Sequence, residues 1–214
     1  MSRPDYMKQI ENRILSMPVG AVFITSDFLD LADTPSVNKA LSRLAVDGTI
    51  RRVVRGVYDR PQFSELLQEY VEPSVGQIAK TIARNFGWRI VPCGDTALNL
   101  LGLSTQVPVI WEYVSNGPYR QYTIGNCTLS FKHGANKDVS GLSEKFALII
   151  QALKALGKDN IDNKLLKRLS ALLTQDEREV FLRDTQYRTV WINQVAKKLY
   201  DMGSKPDEPF SATR

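Results

Sequence analysis

Five hydrogen-bond donors, Ser36, Asn38, Lys39, Ser42 and Arg43, interleave with the apolar residues Val37, Ala40, Leu41, Leu44 and Ala45. Close behind them come Arg51, Arg52, Arg55 and Arg60, with Tyr58 among them. Such a set suits a polyanion that also offers hydrogen-bonding edges, because amide and guanidinium groups pair with bases while hydroxyl, ammonium and guanidinium groups meet phosphate oxygens. Asn38 and Arg43 are the best candidates for reading bases, since each can make two hydrogen bonds to one purine. The four later arginines and Tyr58 suit phosphates or a narrow minor groove, and would hold position more than specify sequence. Any one of these residues alone is what a solvated helix or hairpin displays; their grouping is what points to a nucleic acid.

The distribution of charge sharpens that reading. The net charge of +5 is common among proteins that bind no polyanion. Residues 1–33 carry three basic side chains (Arg3, Lys8, Arg13) against five acidic ones (Asp5, Glu11, Asp27, Asp30, Asp33). Residues 34–60 carry six (Lys39, Arg43, Arg51, Arg52, Arg55, Arg60) against two (Asp47, Asp59). The excess is local to the donor-rich segment.

The elements that must position these groups can be read in order. Tyr6, Ile10, Ile14 and Leu15 recur at helical spacing through Asp5 to Met17, and Pro18 with Gly20 ends that helix. Ala21 to Thr25 reads as a short strand, and Ser26 as the cap of a short helix carrying Phe28, Leu29 and Leu31. Thr34 is the expected N-cap of the next helix, with Pro35 at a position needing no amide donor and an end at Asp47-Gly48. The runs Thr49 to Val54 and Val57 to Asp59, joined by Arg55-Gly56, make a hairpin. Helix, strand, helix, turn, helix and hairpin is the order of a winged helix-turn-helix, whose third helix enters the major groove while the hairpin touches the flanking backbone. Winged helices also serve as protein-interaction modules.

Residues 61–75 are acidic and bracketed by prolines, which predicts a linker or connecting helix and a domain boundary. Beyond it an amphipathic helix carries Ile78, Ile82, Ala83 and Phe86, Trp88 to Val91 is a buried strand, and Asp95 to Leu101 a helix closed by Gly102. Val107 to Val114, Tyr119 to Ile124 and Cys127 to Lys132 predict three strands, most simply an antiparallel meander. Helices follow over Leu142 to Leu156, Asn163 to Leu173, and from the cap Thr174 towards Tyr200 with a break near Asp184 to Tyr187. The tail after Gly203 is expected to be disordered. The fold class is thus α+β, with a winged helix-turn-helix over 1–60, a connecting segment over 61–75, and a domain over 76–202 made of a small meander and a helical bundle, then the tail 203–214.

Other function classes lack their signatures. The P-loop, dinucleotide, zinc-protease and nucleophile-elbow motifs are all absent. No catalytic residue, cofactor or metal is expected. Cys93 and Cys127 show no CxxC spacing and share the chain with a single histidine, His133, so two reduced thiols are expected. His133 reads as a loop or backbone contact rather than a general base, and Asp95, Glu112 and Asp138 as scattered acids rather than a metal site. No apolar run reaches the roughly eighteen residues of a membrane span, and the N-terminus has no secretory signal, which predicts a cytoplasmic protein without a membrane partner.

The segment Leu101-Gly102-Leu103-Ser104-Thr105-Gln106-Val107-Pro108, preceded by Pro92-Cys93-Gly94-Asp95 and Asn99, resembles the AbiEi family of antitoxins from bacterial abortive-infection and toxin-antitoxin operons. The resemblance covers roughly residues 5–200, and its most specific element is Gly102 to Pro108. It implies an N-terminal winged helix that binds inverted repeats in double-stranded DNA of its own promoter, hence autorepression. It further implies a C-terminal domain that counters a nucleotidyltransferase-like toxin, and a monomer or weak dimer that pairs on DNA. No residue of the second domain is matched to a role; Ser104, Thr105 and Gln106 could form a polar recognition loop, but read more readily as a structural turn between helix and strand.

Overall fold

In the computed structural model, which describes residues 6–135 and 141–203, the chain is a mixed α+β fold. Ile10 and Ile14, one turn apart, are fully buried on α1 (Tyr6–Ser16). After β1 (Val22–Ile24) the expected short helix is a single 3-10 turn over Thr25–Phe28, in which the Asp27 carboxylate accepts from the Ile24 amide at 3.0 Å. Ser26 therefore lies inside the turn rather than capping it. Only Phe28 of its apolar residues is fully buried, while Leu29 is exposed, so too narrow a stripe faces the core to sustain an α-helix.

Helix α2 (Thr34–Val46) begins one residue earlier than its sequence suggests: Asp33, not Thr34, is the N-cap, accepting from the Ser36 amide at 3.1 Å, and Pro35 sits in the first turn. Val37, Ala40, Leu41 and Leu44 form its buried face. The chain leaves through Gly48, whose φ of +76° is one that other residues rarely adopt. Strands β2 (Arg51–Val54) and β3 (Val57–Asp59) then form a hairpin with Gly56 at φ +81°. They join β1 in a sheet of order β1-β3-β2, with Phe23 opposite Tyr58 and a register shift between Arg52 and Val54. One core unites α1, α2 and this sheet through Ile10, Ile14, Phe23, Phe28, Leu41, Leu44 and Ile50.

Residues 61–75 are not a linker or connecting helix. They hold a second hairpin, β4 (Gln62–Ser64) and β5 (Glu69–Val71), in which Phe63 faces Tyr70 across the strands. Helix α3 (Val75–Asn85) follows and buries Ile78, Ala79, Ile82 and Ala83, making contacts with β1 and β3. Then come β6 (Ile90–Pro92), α4 (Gly94–Leu100), β7 (Ile110–Ser115), β8 (Arg120–Ile124) and β9 (Cys127–His133). Their sheet has the order β6-β7-β9-β8, which corrects the meander: β9, not β8, is the middle strand of the last three. β8 and β9 pair antiparallel from Arg120 opposite Phe131 to Ile124 opposite Cys127.

The helical third comprises α5 (Glu144–Leu156), α6 (Asn163–Ala171), α7 (Gln175–Thr185) and α8 (Val190–Gly203), with the expected capping box at Thr174 and Glu177 and the expected break after Thr185. Ile149, Leu153, Leu169, Phe181, Ala196 and Leu199 are the heart of its core. By compactness the chain divides into two units. The first takes residues up to Ile90 with Val109–Trp111 and Ser115–His133, and the second the remainder, so the division does not fall at 61–75. Asp138 and the tail beyond Gly203 lie outside the described residues. Among the described residues no helix is long and apolar enough to cross a membrane.

Candidate nucleic-acid interface

With one face of α2 buried, Asn38, Lys39, Ser42 and Arg43 are exposed on the other. Ser36 is only half-buried and is occupied: its hydroxyl and then its amide hold the Asp33 carboxyl below the ordinary aspartate value. Asn38 is oriented by a neighbour that sequence reasoning missed. The Thr25 hydroxyl donates to its Oδ1 at 2.8 Å, which leaves the Nδ2 donor for another partner. Nothing in the periodicity of α2 signals Thr25, which reaches it from the 3-10 turn.

The hairpin separates its arginines into two kinds. Arg51 makes a bidentate pair with Asp59, Nε to Oδ1 at 3.1 Å and Nη2 to Oδ2 at 2.7 Å, and Asp59 is 1% exposed. The same guanidinium donates to Glu72 at 3.1 Å and to the Val71 carbonyl at 2.9 Å. Its pKa is raised, first by the Asp59 hydrogen bond. Arg60 donates to the Met17 carbonyl, and Tyr58 is buried with its ring stacked on Phe23 at 6.3 Å. By contrast Arg52 and Arg55 are exposed, and among the described residues neither enters an ion pair. Of the ten residues read from the sequence, six therefore offer donors to solvent and four (Ser36, Arg51, Tyr58, Arg60) are committed within the fold.

Two ion pairs brace the elements beneath. Arg13 of α1 meets Asp30 at 2.6 Å, and Arg84 of α3 meets Asp27 in the 3-10 turn. The other candidates go elsewhere. His133 donates from Nδ1 to the Gly117 carbonyl at 3.0 Å, as a backbone contact, since that oxygen can only accept. Ser104 accepts from the Gln106 amide at 3.2 Å while Asn99 donates to the Gln106 carbonyl at 2.9 Å, so the segment is a structural turn. No three of His, Cys, Asp and Glu gather among the described residues.

A family profile described as a family of unknown function (DUF6088) matches residues 9–181. The chain belongs to that family. No curated protein matches it. Among solved structures, that of the RV2827C protein from Mycobacterium tuberculosis is similar over 95% of this chain and 78% of its own, at 15% identity and a TM-score of 0.46.

Proposed function

We propose that residues 6–59 form a winged helix-turn-helix that binds double-stranded DNA, with α2 in the major groove and hairpin β2–β3 against the flanking backbone. The observation that carries this reading is the capped helix α2 presenting Asn38, Lys39, Ser42 and Arg43 to solvent, followed at once by a hairpin with Arg52 and Arg55 unpaired. On this reading the protein is a transcriptional repressor rather than an enzyme. The resemblance to AbiEi antitoxins extends it to autorepression through inverted repeats and to countering a nucleotidyltransferase-like toxin. The test is selection of duplexes from a random pool by the full chain, followed by sequencing. Enrichment of an inverted repeat found upstream of its own gene supports the proposal; recovery of an unenriched pool overturns sequence-specific binding.

A second reading, a module that contacts a protein partner directly, is favoured by hairpin β4–β5, where Phe63, Leu66, Leu67 and Tyr70 are all exposed, Leu66 at 92%. Co-expression with the product of an adjacent toxin gene separates the two. Protection by a chain that has lost DNA binding through the combined substitutions Asn38→Ala, Arg43→Ala, Arg52→Ala and Arg55→Ala supports antitoxicity by protein contact.

A further inference from the structure

One further arginine of the first unit, outside the donor set of α2 and the hairpin, is held by aromatic rings. Arg120 of β8 is exposed, and its guanidinium carbon stands 4.4 Å from the centroid of Phe86 and 5.4 Å from that of Trp88. The two rings stack on one another at 4.8 Å and 23°, and Trp88 is set edge-on to Phe131 at 5.6 Å. Gly117 makes this possible, because a Cβ there would collide with the indole. Phe86 and Arg120 open onto a groove of about 420 Å³ that Arg55, Asn85 and Tyr122 also line, and among the described residues no acidic side chain lines it.

A guanidinium held by ring faces keeps its in-plane N–H groups unused, and it is already ordered before a ligand arrives. Two exposed arginines without a carboxylate between them complement the regularly spaced charges of a phosphodiester chain. The groove starts at Arg55, the tip of the hairpin that the DNA-binding reading already places on the backbone. We propose that Arg120, supported by Phe86 and Trp88, is a further phosphate-binding point of the DNA interface, engaging the strand that passes the hairpin tip at Arg55. The proposal rests on the DNA-binding reading. Phe86 and Trp88 are positioning residues that act through Arg120.

The test uses the full chain and a labelled mixed-sequence duplex of about 30 base pairs, titrated across a range of salt. Arg120→Gln is expected to lower the slope of log affinity against log salt by about 0.9 and to weaken binding about fivefold to tenfold near 0.1 M salt, with an unchanged melting temperature. Arg120→Lys, which keeps the charge, restores the slope. Phe86→Leu, which keeps the charge but removes the support, weakens binding while leaving the slope close to that of the parent. If the parent binds steeply, Arg55→Gln lowers its slope and Arg120→Gln does not, this inference is overturned while the DNA-binding reading stands. If the parent chain shows no salt-dependent binding at all, both fall together.

Discussion

Arg51 and Arg55 are the same residue type four positions apart on one hairpin, yet their partners give them opposite work. Arg51 neutralises Asp59, a carboxylate 1% exposed, and ties β2 to Glu72 and Val71. Arg51→Ala is expected to destabilise the chain by about 2 to 4 kcal/mol, because it strands a buried charge, without altering the salt slope of DNA binding. Arg55→Ala should do the reverse, leaving denaturant stability unchanged and lowering the slope by about 0.9. Chemical denaturation beside salt titration checks both, and a lowered slope for Arg51→Ala at unchanged stability would return that residue to the interface. On α2, Asn38→Ala or Arg43→Ala should cost about 1 to 3 kcal/mol per lost base contact on a selected duplex and less on a scrambled one. Equal losses on both would make these residues backbone contacts only. The residue types and the exposed face of α2 were legible because helical spacing sorts buried from exposed. The fates of Ser36, Arg51, Tyr58 and Arg60 were not, because each depends on a partner that the folded chain supplies: Asp33 as a cap one residue earlier than Thr34, Asp59 opposite on the paired strand, Phe23 on β1, and the carbonyl of Met17.

Elements whose ends carry their own chemistry are legible in the sequence, and those defined by pairing are not. The box at Thr174 and Glu177 marks the start of α7 in sequence and structure alike, while β4–β5 escaped because its turn uses Gln68 at φ +53°, with no glycine or asparagine there to signal it. The order of β8 and β9 is likewise a choice among long-range partners that two good turns leave open. At the start of α7 the Lys145 ammonium of α5 meets both oxygens of Glu177, at 2.8 and 2.7 Å, and the Thr174 amide donates to the same carboxylate at 2.9 Å. These contacts, the Lys145 hydrogen bond first, hold the Glu177 carboxyl below its ordinary value of 4.5. A depressed folded-state pKa contributes stability above the unfolded value and loses it as pH falls through the folded one. The melting temperature should therefore begin to fall below about pH 4.5, with Asp30 and Asp33, depressed by Arg13 and Ser36, adding to the loss at lower pH. Glu177→Gln should lower the melting temperature at neutral pH and shrink its acid dependence. An acid limb unchanged in that variant would show that the Lys145 contact contributes nothing to folding.

At the scale of the whole molecule, the unit that holds α2 and the first hairpin is not the N-terminal stretch that composition marks out. Proline and acid content between 61 and 75 suggested a boundary, but the first unit continues through α3 and later recovers β8 and β9 from beyond residue 114. Helix α3 shows why a cut at Pro73 should fail. Its buried residues Ile78, Ala79, Ile82 and Ala83 make the apolar face of a helix whose contacts include β1 and β3, and Arg84 at its end pairs with Asp27. A fragment starting at Pro73 keeps that face and loses the strands beneath it. It also keeps β8 and β9 without β2, which β8 contacts in the intact chain. Exposing a face of this kind costs about 25 cal/mol for each Å² of apolar surface returned to water, several kcal/mol in all and comparable with the whole stability of a domain. The fragment 73–203 is therefore expected to melt without a sharp transition and to bind a hydrophobic dye, whereas the full chain melts cooperatively. A fragment 1–72 should be less stable than the full chain for the complementary reason, since its sheet has lost α3. A cooperative transition and low dye binding in 73–203 would show instead that α3 belongs with the second unit, and that the boundary read from composition is the one the chain uses in folding.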